Sequence, residues 1–233
     1  METLDLLADR PGEQHVFLVA TNSLFAWCIA RGLADSNPAL GIRSAPQAKH
    51  TRPWTAAEKD ALLNCGDPMV ATASALGCYT GQRISDVLRA RWIDISDGEI
   101  HVIQQKTGAE LYIPIEHALN LFLDGIPDHS PDLYIVGNSR VSLDPGKFRV
   151  RFVAVCRRLG LDCRFHGARV ACAIRLAEAG CSTREIMAIG GWKTSRLVDL
   201  YTAQASQRDL ARAAIRKVAH PDGARQEARN ASA

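Results

Sequence analysis

The chain has 233 residues, is 47% hydrophobic and carries a formal net charge of +3. This much apolar material can form one large domain, or one domain with a smaller partner, and excludes an intrinsically disordered chain. The apolar stretches are interrupted well before the roughly 20 residues that a membrane span needs, and the acidic N-terminus lacks a signal-peptide pattern. We therefore expect a cytoplasmic protein with no membrane partner.

The seven cysteines form no Cys-x-x-Cys pair and have no histidine at zinc-ligand spacing, so we predict no metal site. An odd number without paired spacing also argues against a secreted disulfide framework. Most of these cysteines are predicted to be small buried hydrophobic residues.

The N-terminal part is predicted to contain one long helix and then a linker. Apolar residues at helical spacing predict a helix over 14–31 that ends at Gly32. The periodicity then stops over 41–53, where Pro, Ser, Gln, Lys and Arg dominate. A domain boundary is expected near residue 50.

Two further helices and a short one are predicted after this boundary. Thr55 and Glu58 form a capping box, which starts a helix to about residue 64. The alanine-rich segment 69–79 is suited to a tightly packed core helix. A short helix is expected to begin near Arg83.

The period then changes to two, which predicts a meander of three antiparallel strands with Lys106 at its second hairpin. The predicted strands cover 92–95, 99–103 and 110–115. After residue 116 the pattern returns to helices and ends in a polar tail, predicted to be disordered, from about 219. The predicted helices are 116–124, 145–159, 166–179, 183–189, 194–202 and 206–218. The fold class is therefore α+β, mainly α-helical, with a small three-stranded antiparallel sheet.

Charge is distributed unevenly along the chain. Residues 140–175 contain nine Lys or Arg and two Asp, whereas residues 94–132 contain eight acidic residues and one lysine. Such separation is typical of a protein with one face toward a polyanion, although a solvated helix face is an equal alternative. The predicted DNA-backbone contacts are Lys147, Arg149, Arg151, Arg157 and Arg158.

Arg83 and Arg169 are candidates for binding a phosphate. Cutting a phosphodiester by attack of a side-chain oxygen requires a nucleophile, compensation of charge on the non-bridging oxygens, and a proton donor for the leaving alkoxide. The planar guanidinium binds two phosphate oxygens and stays charged, so two arginines can do what a divalent metal does elsewhere. Arg83 alone is more often a surface residue at a helix start, and a His-x-x-Arg motif such as that of Arg169 is common by itself.

His166 and Lys106 are candidates for the remaining polar functions. His166 lies three residues before Arg169 at the start of a predicted helix, where free amides and the helix dipole favour an anion. Lys106 at a hairpin tip could deliver an ammonium acid to the leaving oxygen. The alternatives are a capping histidine and a solvated turn lysine.

Tyr201 is the candidate nucleophile. A phenol has a pKa near 10, so it needs a cationic cluster to favour the phenolate. Trp192 could donate its indole N–H to a phosphate oxygen, and Asp86 could orient Arg83 or His166. The structural alternatives are packed aromatic residues and a helix ion pair.

These candidates belong to motifs that follow one another along the chain: Thr80-Gly81-Gln82-Arg83-Ile84-Ser85-Asp86, Lys106-Thr107-Gly108, His166-Gly167-Ala168-Arg169, Gly190-Gly191-Trp192 and Tyr201. In this order, they resemble the tyrosine recombinase, or phage integrase, family with a Cre-like catalytic domain. The resemblance covers about residues 51–218. It implies that Tyr201 forms a 3′-phosphotyrosine and that Lys106 protonates the 5′ oxygen. It also implies that Arg83, His166, Arg169 and Trp192 contact the phosphate.

The resemblance further implies a site-specific recombinase that acts on double-stranded DNA, associates with the nucleoid and needs neither ATP nor metal, hence no cofactor. Four identical protomers would assemble on paired DNA sites and exchange strands through a Holliday junction. The implied domains are a truncated helical core-binding remnant with linker (1–48), the catalytic domain (49–218) and the tail (219–233). Two alternatives stay open: relaxation of DNA in the manner of a type IB topoisomerase, and DNA binding without catalysis, which the short N-terminal part favours.

Overall fold

The computed structural model describes residues 2–44, 51–202, 211 and 215. The chain divides into two units, Met1–His50 and Thr51–Ala233. The predicted tail lies outside the described residues, as do most of the predicted helix 206–218 and linker residues 45–50.

The first unit consists of α1 (Glu2–Asp5), α2 (Pro11–Ile29) and a returning segment. Helix α2 begins three residues before its predicted start because Pro11 suits the first helical position. The side-chain amide of Asn37 donates a hydrogen bond to Asn22 Oδ1 at 2.7 Å, which ties the returning segment to α2. Leu18 is buried, whereas Trp27 and other large apolar side chains of α2 are exposed.

The second unit is mainly helical and contains every helix predicted between residues 55 and 202, each within two residues of its predicted bounds. Both capping boxes, Thr55 with Glu58 and Ser182 with Glu185, are confirmed. The helices are α3 (Ala56–Leu63), α4 (Pro68–Thr80), α5 (Ile84–Val87), α6 (His117–Asp124), α7 (Pro145–Arg158), α8 (His166–Glu178), α9 (Thr183–Gly190) and α10 (Ser195–Thr202).

A three-stranded antiparallel sheet in the order β1-β2-β3 completes the second unit and confirms the predicted fold class. Ile100 pairs with Ile113, and both are buried against the helices. The β1–β2 turn places Asp97 and Gly98 at positive φ, as a two-residue hairpin requires. The strands are β1 (Ile95–Ser96), β2 (Glu99–Ile103) and β3 (Glu110–Pro114).

The predicted start of the first strand is wrong, since Trp92–Asp94 is a short 3-10 turn. Asp94 Oδ2 accepts a hydrogen bond from the backbone N–H of Arg91 at 2.8 Å and closes this turn. The backbone N–H of Trp92 donates to the carbonyl of Leu133 instead of pairing with β2. The alternating pattern indicated an extended chain here. The backbone N–H groups instead donate hydrogen bonds to the Asp94 side chain and to carbonyls of the 131–133 segment.

The main core contains an aromatic cluster that supports the start of α8. Trp54 stacks on Phe152 with ring centroids 5.9 Å apart, and Phe165 meets Trp54 edge-on. The indole of Trp54 donates to the carbonyl of Arg164 at 2.8 Å. A Cβ on Gly167 would lie 2.6 Å from the carbonyl oxygen of Arg52, so the segment before α3 packs directly on the first turn of α8.

A smaller core joins α8, α9 and α10. Its buried members are Ala173, Ala177, Ile186, Trp192 and Val198, and Tyr201 packs against them. This cluster is apolar and places the last two helices beside α8. The positions of the tryptophan and the tyrosine therefore depend on the same packing.

Four of the seven cysteines, Cys65, Cys78, Cys156 and Cys172, are buried, as predicted. Burial raises the pKa of the Cys78 thiol to about 12, which makes it an inert packing group. In the part of the chain that the structure describes, no helix is long and apolar enough to cross a bilayer.

We expect Phe152→Ala to lower the free energy of unfolding by about 3–5 kcal/mol, because it removes a buried ring from the aromatic cluster and leaves a cavity. The matched control is Val150→Ala on the exposed side of α7, for which we expect a change within about 0.5 kcal/mol. Urea unfolding followed by circular dichroism measures both. Equal losses in the two variants would contradict the role assigned to the cluster.

Candidate active site

Arg83 lies at a sharp turn between α4 and α5. Gly81 ends α4 in the left-handed conformation (φ +66), and a Cβ there would lie 3.3 Å from Cys172 Sγ. Glycine is therefore favoured by both backbone and space. The guanidinium of Arg83 donates from Nη1 to Gln104 Oε1 at 2.8 Å.

Arg169 lies in the first turn of α8 and is only 2% exposed. Its Nη1 donates to the carbonyl of Gly81 at 2.6 Å, and its Cζ lies 4.1 Å from the centre of a Trp192 ring. The buried Nη2 has no hydrogen-bond partner among the described residues. A buried guanidinium with one unpaired nitrogen is suited to receive an oxygen of an anionic ligand.

The pKa shifts of His166 and Arg169 indicate that these side chains lie near the other cations. Burial first, and then Arg83, lower the pKa of Arg169 to about 10, which leaves it charged at neutral pH. Burial also lowers the pKa of His166, and the charges of Arg169, Arg83 and Lys106 lower it further. His166 is thus a neutral imidazole at neutral pH among three cations.

Lys106 is exposed on the turn that connects β2 and β3, where the sequence predicted it. The backbone N–H of Gly108 donates to the carbonyl of Gln104 at 2.8 Å, and the N–H of Gln104 donates to the carbonyl of Ala109 at 2.8 Å. These bonds close the turn. The Lys106 ammonium lies at the tip on a flexible side chain, within electrostatic reach of His166.

Packing in the smaller core positions Trp192 and Tyr201 at the site. A Cβ on Gly190 would lie 1.8 Å from the indole of Trp192, so the ring lies directly on the backbone of α9. The rings of Trp192 and Tyr201 meet edge-on with centroids 6.2 Å apart. Tyr201 also lies close enough to Arg169 for a phenolate at this position to raise the pKa of that arginine.

Asp86 is buried beside Arg83 and joins the α5 helix to the hairpin. Its Oδ1 accepts a hydrogen bond from the backbone N–H of Gln105 at 2.9 Å. Its Oδ2 has no hydrogen-bond partner among the described residues and lies 4.0 Å from Arg83 Nη1. The carboxylate therefore faces the guanidinium and fixes the base of the Lys106 turn.

The structure thus brings together the six residues predicted from the sequence, with Asp86 beside Arg83. Among the described residues, two arginines and a lysine lie here with one carboxylate, that of Asp86 beside Arg83, so the arrangement is suited to bind an anion such as a phosphodiester. In the described ranges, no three His, Cys, Asp or Glu side chains form a group that could hold a metal ion.

The five cations predicted to contact DNA lie on two sides of α7, and their contact with DNA stays a prediction. The side chain of Arg151 pairs with Asp67 at 2.6 Å, and Arg158 donates to the carbonyl of Cys65. Helical geometry places Lys147 on this same side. Arg149 and Arg157 instead line a groove of about 860 Å³ that also contacts Ile84 and Phe165, the neighbours of Arg83 and His166.

Two buried glutamines near the site, Gln82 and Gln104, were not identified from the sequence. They are 2% and 1% exposed. A signal was present, because Gln104 continues the inward alternation of Ile100 and Val102 and so places a polar side chain toward the core. Gln82 lies inside the motif that identified Arg83.

Comparison with known proteins decides the family. The sequence model described as the phage integrase family matches residues 57–208. The chain belongs to this family. The integrase of Escherichia phage HK022 is 36% identical over 106 residues, which cover 43% of this chain and 30% of the relative. The prophage integrase IntE of Escherichia coli K12 is 36% identical over 88 residues, 36% of this chain and 23% of the relative.

The fold of this phage integrase family member is also similar to solved structures. A lambda integrase dimer bound to a COC′ core site superposes with a TM-score of 0.74 at 23% identity, over 88% of this chain and 79% of the other. The matches span less than a third of the curated relatives' length. The family assignment made from the ordered motifs is confirmed.

We expect the stability of the protein to fall as the pH drops below about 6.5, partly because of His166. The unfolded chain binds a proton at this imidazole near its ordinary pKa of 6.5, whereas the folded protein binds it only at lower pH. The unfolded state therefore gains protons first, and the free energy of unfolding decreases.

His166→Asn should lose less stability than the wild type between pH 7.5 and 5.5, as measured by urea unfolding. An NMR titration of the His166 ring should give a pKa below the ordinary 6.5 of a histidine in an unfolded peptide. A His166 pKa above 6.5 would contradict the cationic surroundings described above.

Proposed function

We propose that the chain is a site-specific tyrosine recombinase that cuts and rejoins duplex DNA through a 3′-phosphotyrosine. The observation that carries the proposal is the buried Arg169, whose unpaired Nη2 lies in the region where Arg83, His166 and Tyr201 converge. Family membership supports the same activity.

The arginines act by binding the scissile phosphate. Arg83 and Arg169 donate hydrogen bonds to the non-bridging oxygens, whose negative charge increases in the transition state. The guanidinium of Arg169 is kept in one orientation by the Gly81 carbonyl and the Trp192 ring, so little reorganisation is needed. His166 and the indole N–H of Trp192 contact the same phosphate.

Tyr201 is the nucleophile. Its phenolic oxygen forms a bond to phosphorus while the bond from phosphorus to the 5′ oxygen breaks. The neutral imidazole of His166 can accept the phenolic proton, and the Lys106 ammonium gives a proton to the departing 5′ oxygen. The reverse steps reseal the strand. Because the phosphotyrosine keeps the energy of the broken phosphodiester bond, no ATP is needed.

The partner is double-stranded DNA, bound in the cytoplasm at the nucleoid by four protomers on paired sites. Lambda integrase has been solved as a dimer on a core site and as a tetramer on a Holliday junction, which supports such an assembly. Residues 49–218 serve as the catalytic domain, and residues 1–48 serve as a helical core-binding segment with its linker.

We expect Tyr201→Phe to abolish covalent attachment to DNA, because the variant lacks the attacking oxygen. The probe is a pool of nicked duplexes with randomised sequence around the nick, in which cleavage releases a short fragment and traps the protein. Adducts that survive detergent are counted on gels. Tyr112→Phe, on the exposed face of the sheet, is the matched control and should trap DNA like the wild type.

The same assay separates the alternatives. A wild-type protein that shifts DNA but traps none would contradict the proposal and support binding without catalysis. Relaxation of a supercoiled plasmid without exchange between two copies of the trapped sequence would support the topoisomerase-like alternative.

We expect the two sides of α7 to differ in their effect on DNA affinity. Arg149→Gln with Arg157→Gln should make the slope of log K against log salt less negative by about 2, since each phosphate contact contributes roughly −0.9. Arg151→Gln with Arg158→Gln should leave the slope nearly unchanged and lower the free energy of unfolding, because these side chains contact Asp67 and Cys65. Fluorescence anisotropy at several salt concentrations measures the slopes, and equal slopes in the two double variants would contradict this orientation of α7.

A further inference from the structure

The side chain of Gln104 is buried at the centre of the site and uses its full hydrogen-bonding capacity. Its Oε1 accepts from Arg83 Nη1 at 2.8 Å and from Thr107 Oγ1 at 2.7 Å. Its Nε2 donates to Gln82 Oε1 at 2.7 Å and to the carbonyl of Gly190 at 2.8 Å. Two donors and two acceptor positions are thus all occupied, which defines one orientation of the amide.

Gln82 continues this network to the same end of α9. Its Nε2 donates to the carbonyls of Thr80 and Ile189, each at 3.0 Å. Because both amides are buried and every polar atom named here is paired, a change in either side chain leaves unpaired groups behind. The two glutamines therefore behave as one unit.

This pair joins parts of the site that are far apart in sequence. Arg83 comes from the turn after α4, Gln104 from the end of β2, and Gly190 from the end of α9. The last contact is close, since a Cβ on Gly191 would lie 2.5 Å from Gln104 Nε2. Gly190 and Gly191 lead directly to Trp192, on which the guanidinium of Arg169 packs.

We propose that Gln104, supported by Gln82, is a positioning residue that sets the guanidinium of Arg83 relative to the Trp192–Arg169 pair. Without the Oε1 acceptor, the partner left to Arg83 among the described residues is the more distant Asp86 carboxylate, 4.0 Å away, and the guanidinium swings toward it. The two arginines then no longer match the spacing of two oxygens on one phosphate. The inference rests on the proposed cleavage activity and adds a determinant of its rate.

The test compares Gln104→Met with Gln105→Met. Methionine has a similar volume but lacks the amide, and Gln105 is a neighbouring glutamine of the same hairpin whose side chain is exposed. At saturating protein, we expect Gln104→Met to lower the rate of adduct formation by about 10- to 100-fold, as a displaced phosphate-binding group does. The affinity for uncut DNA should change little, and Gln105→Met should behave like the wild type.

A double-variant experiment distinguishes a role of Gln104 in positioning Arg83 from a general role in the stability of the fold. In Arg83→Ala, adding Gln104→Met should lower the rate by less than about threefold, because the group that it positions is already absent. If Gln104→Met lowers the rate of adduct formation by the same factor in the wild type and in Arg83→Ala, the proposal is overturned. Gln104→Asn, which keeps an amide but is one methylene too short to reach both Arg83 and Gly190, should also be slow while remaining folded.

Failure of this inference is distinguishable from failure of the proposed function. If the wild type forms adducts and Gln104→Asn forms them at the same rate, only the positioning role is lost. If the wild type forms none, crystal structures of the wild type and Gln104→Asn still decide the matter. A guanidinium of Arg83 displaced by more than about 1 Å supports positioning, and an unchanged one overturns it.

Discussion

The buried guanidinium of Arg169 is the interaction on which the rest of the site depends. Transfer of a charge out of water costs several kcal/mol unless hydrogen bonds and nearby electrons compensate it. Here the Gly81 carbonyl and the Trp192 ring compensate only part of the cation, and Nη2 stays unpaired among the described residues. A negatively charged ligand would complete this set of contacts.

Several elements keep Arg169 in this unfavourable position. Gly81 must take the left-handed conformation so that its carbonyl points toward α8, and Gly190 must lack a side chain so that Trp192 can lie on α9. The aromatic cluster around Trp54 then fixes the first turn of α8 from the opposite side. The cost of desolvating the Arg169 guanidinium is thus balanced by ordinary apolar packing elsewhere.

Local sequence signals predicted most of the elements well. The capping boxes at Thr55 and Ser182 defined helix starts because their hydrogen bonds close within four residues. Alternation predicted β2 and β3, in which Ile100, Val102 and Ile113 face one core. It failed at Trp92, where the backbone N–H pairs with Leu133, 41 residues away in the chain. No local pattern contains that partner.

The sequence by itself determined the family, the order of the polar motifs and the chemistry that arginine, histidine, lysine and tyrosine can supply, because these depend on residue type and spacing. Only the tertiary structure decided that Gln82 and Gln104 connect the motifs, and that α7 directs Arg149 and Arg151 to opposite sides. The reason is physical: hydrogen bonds between residues more than a hundred positions apart, such as that from Gln82 to Ile189, exist only after the helices have packed.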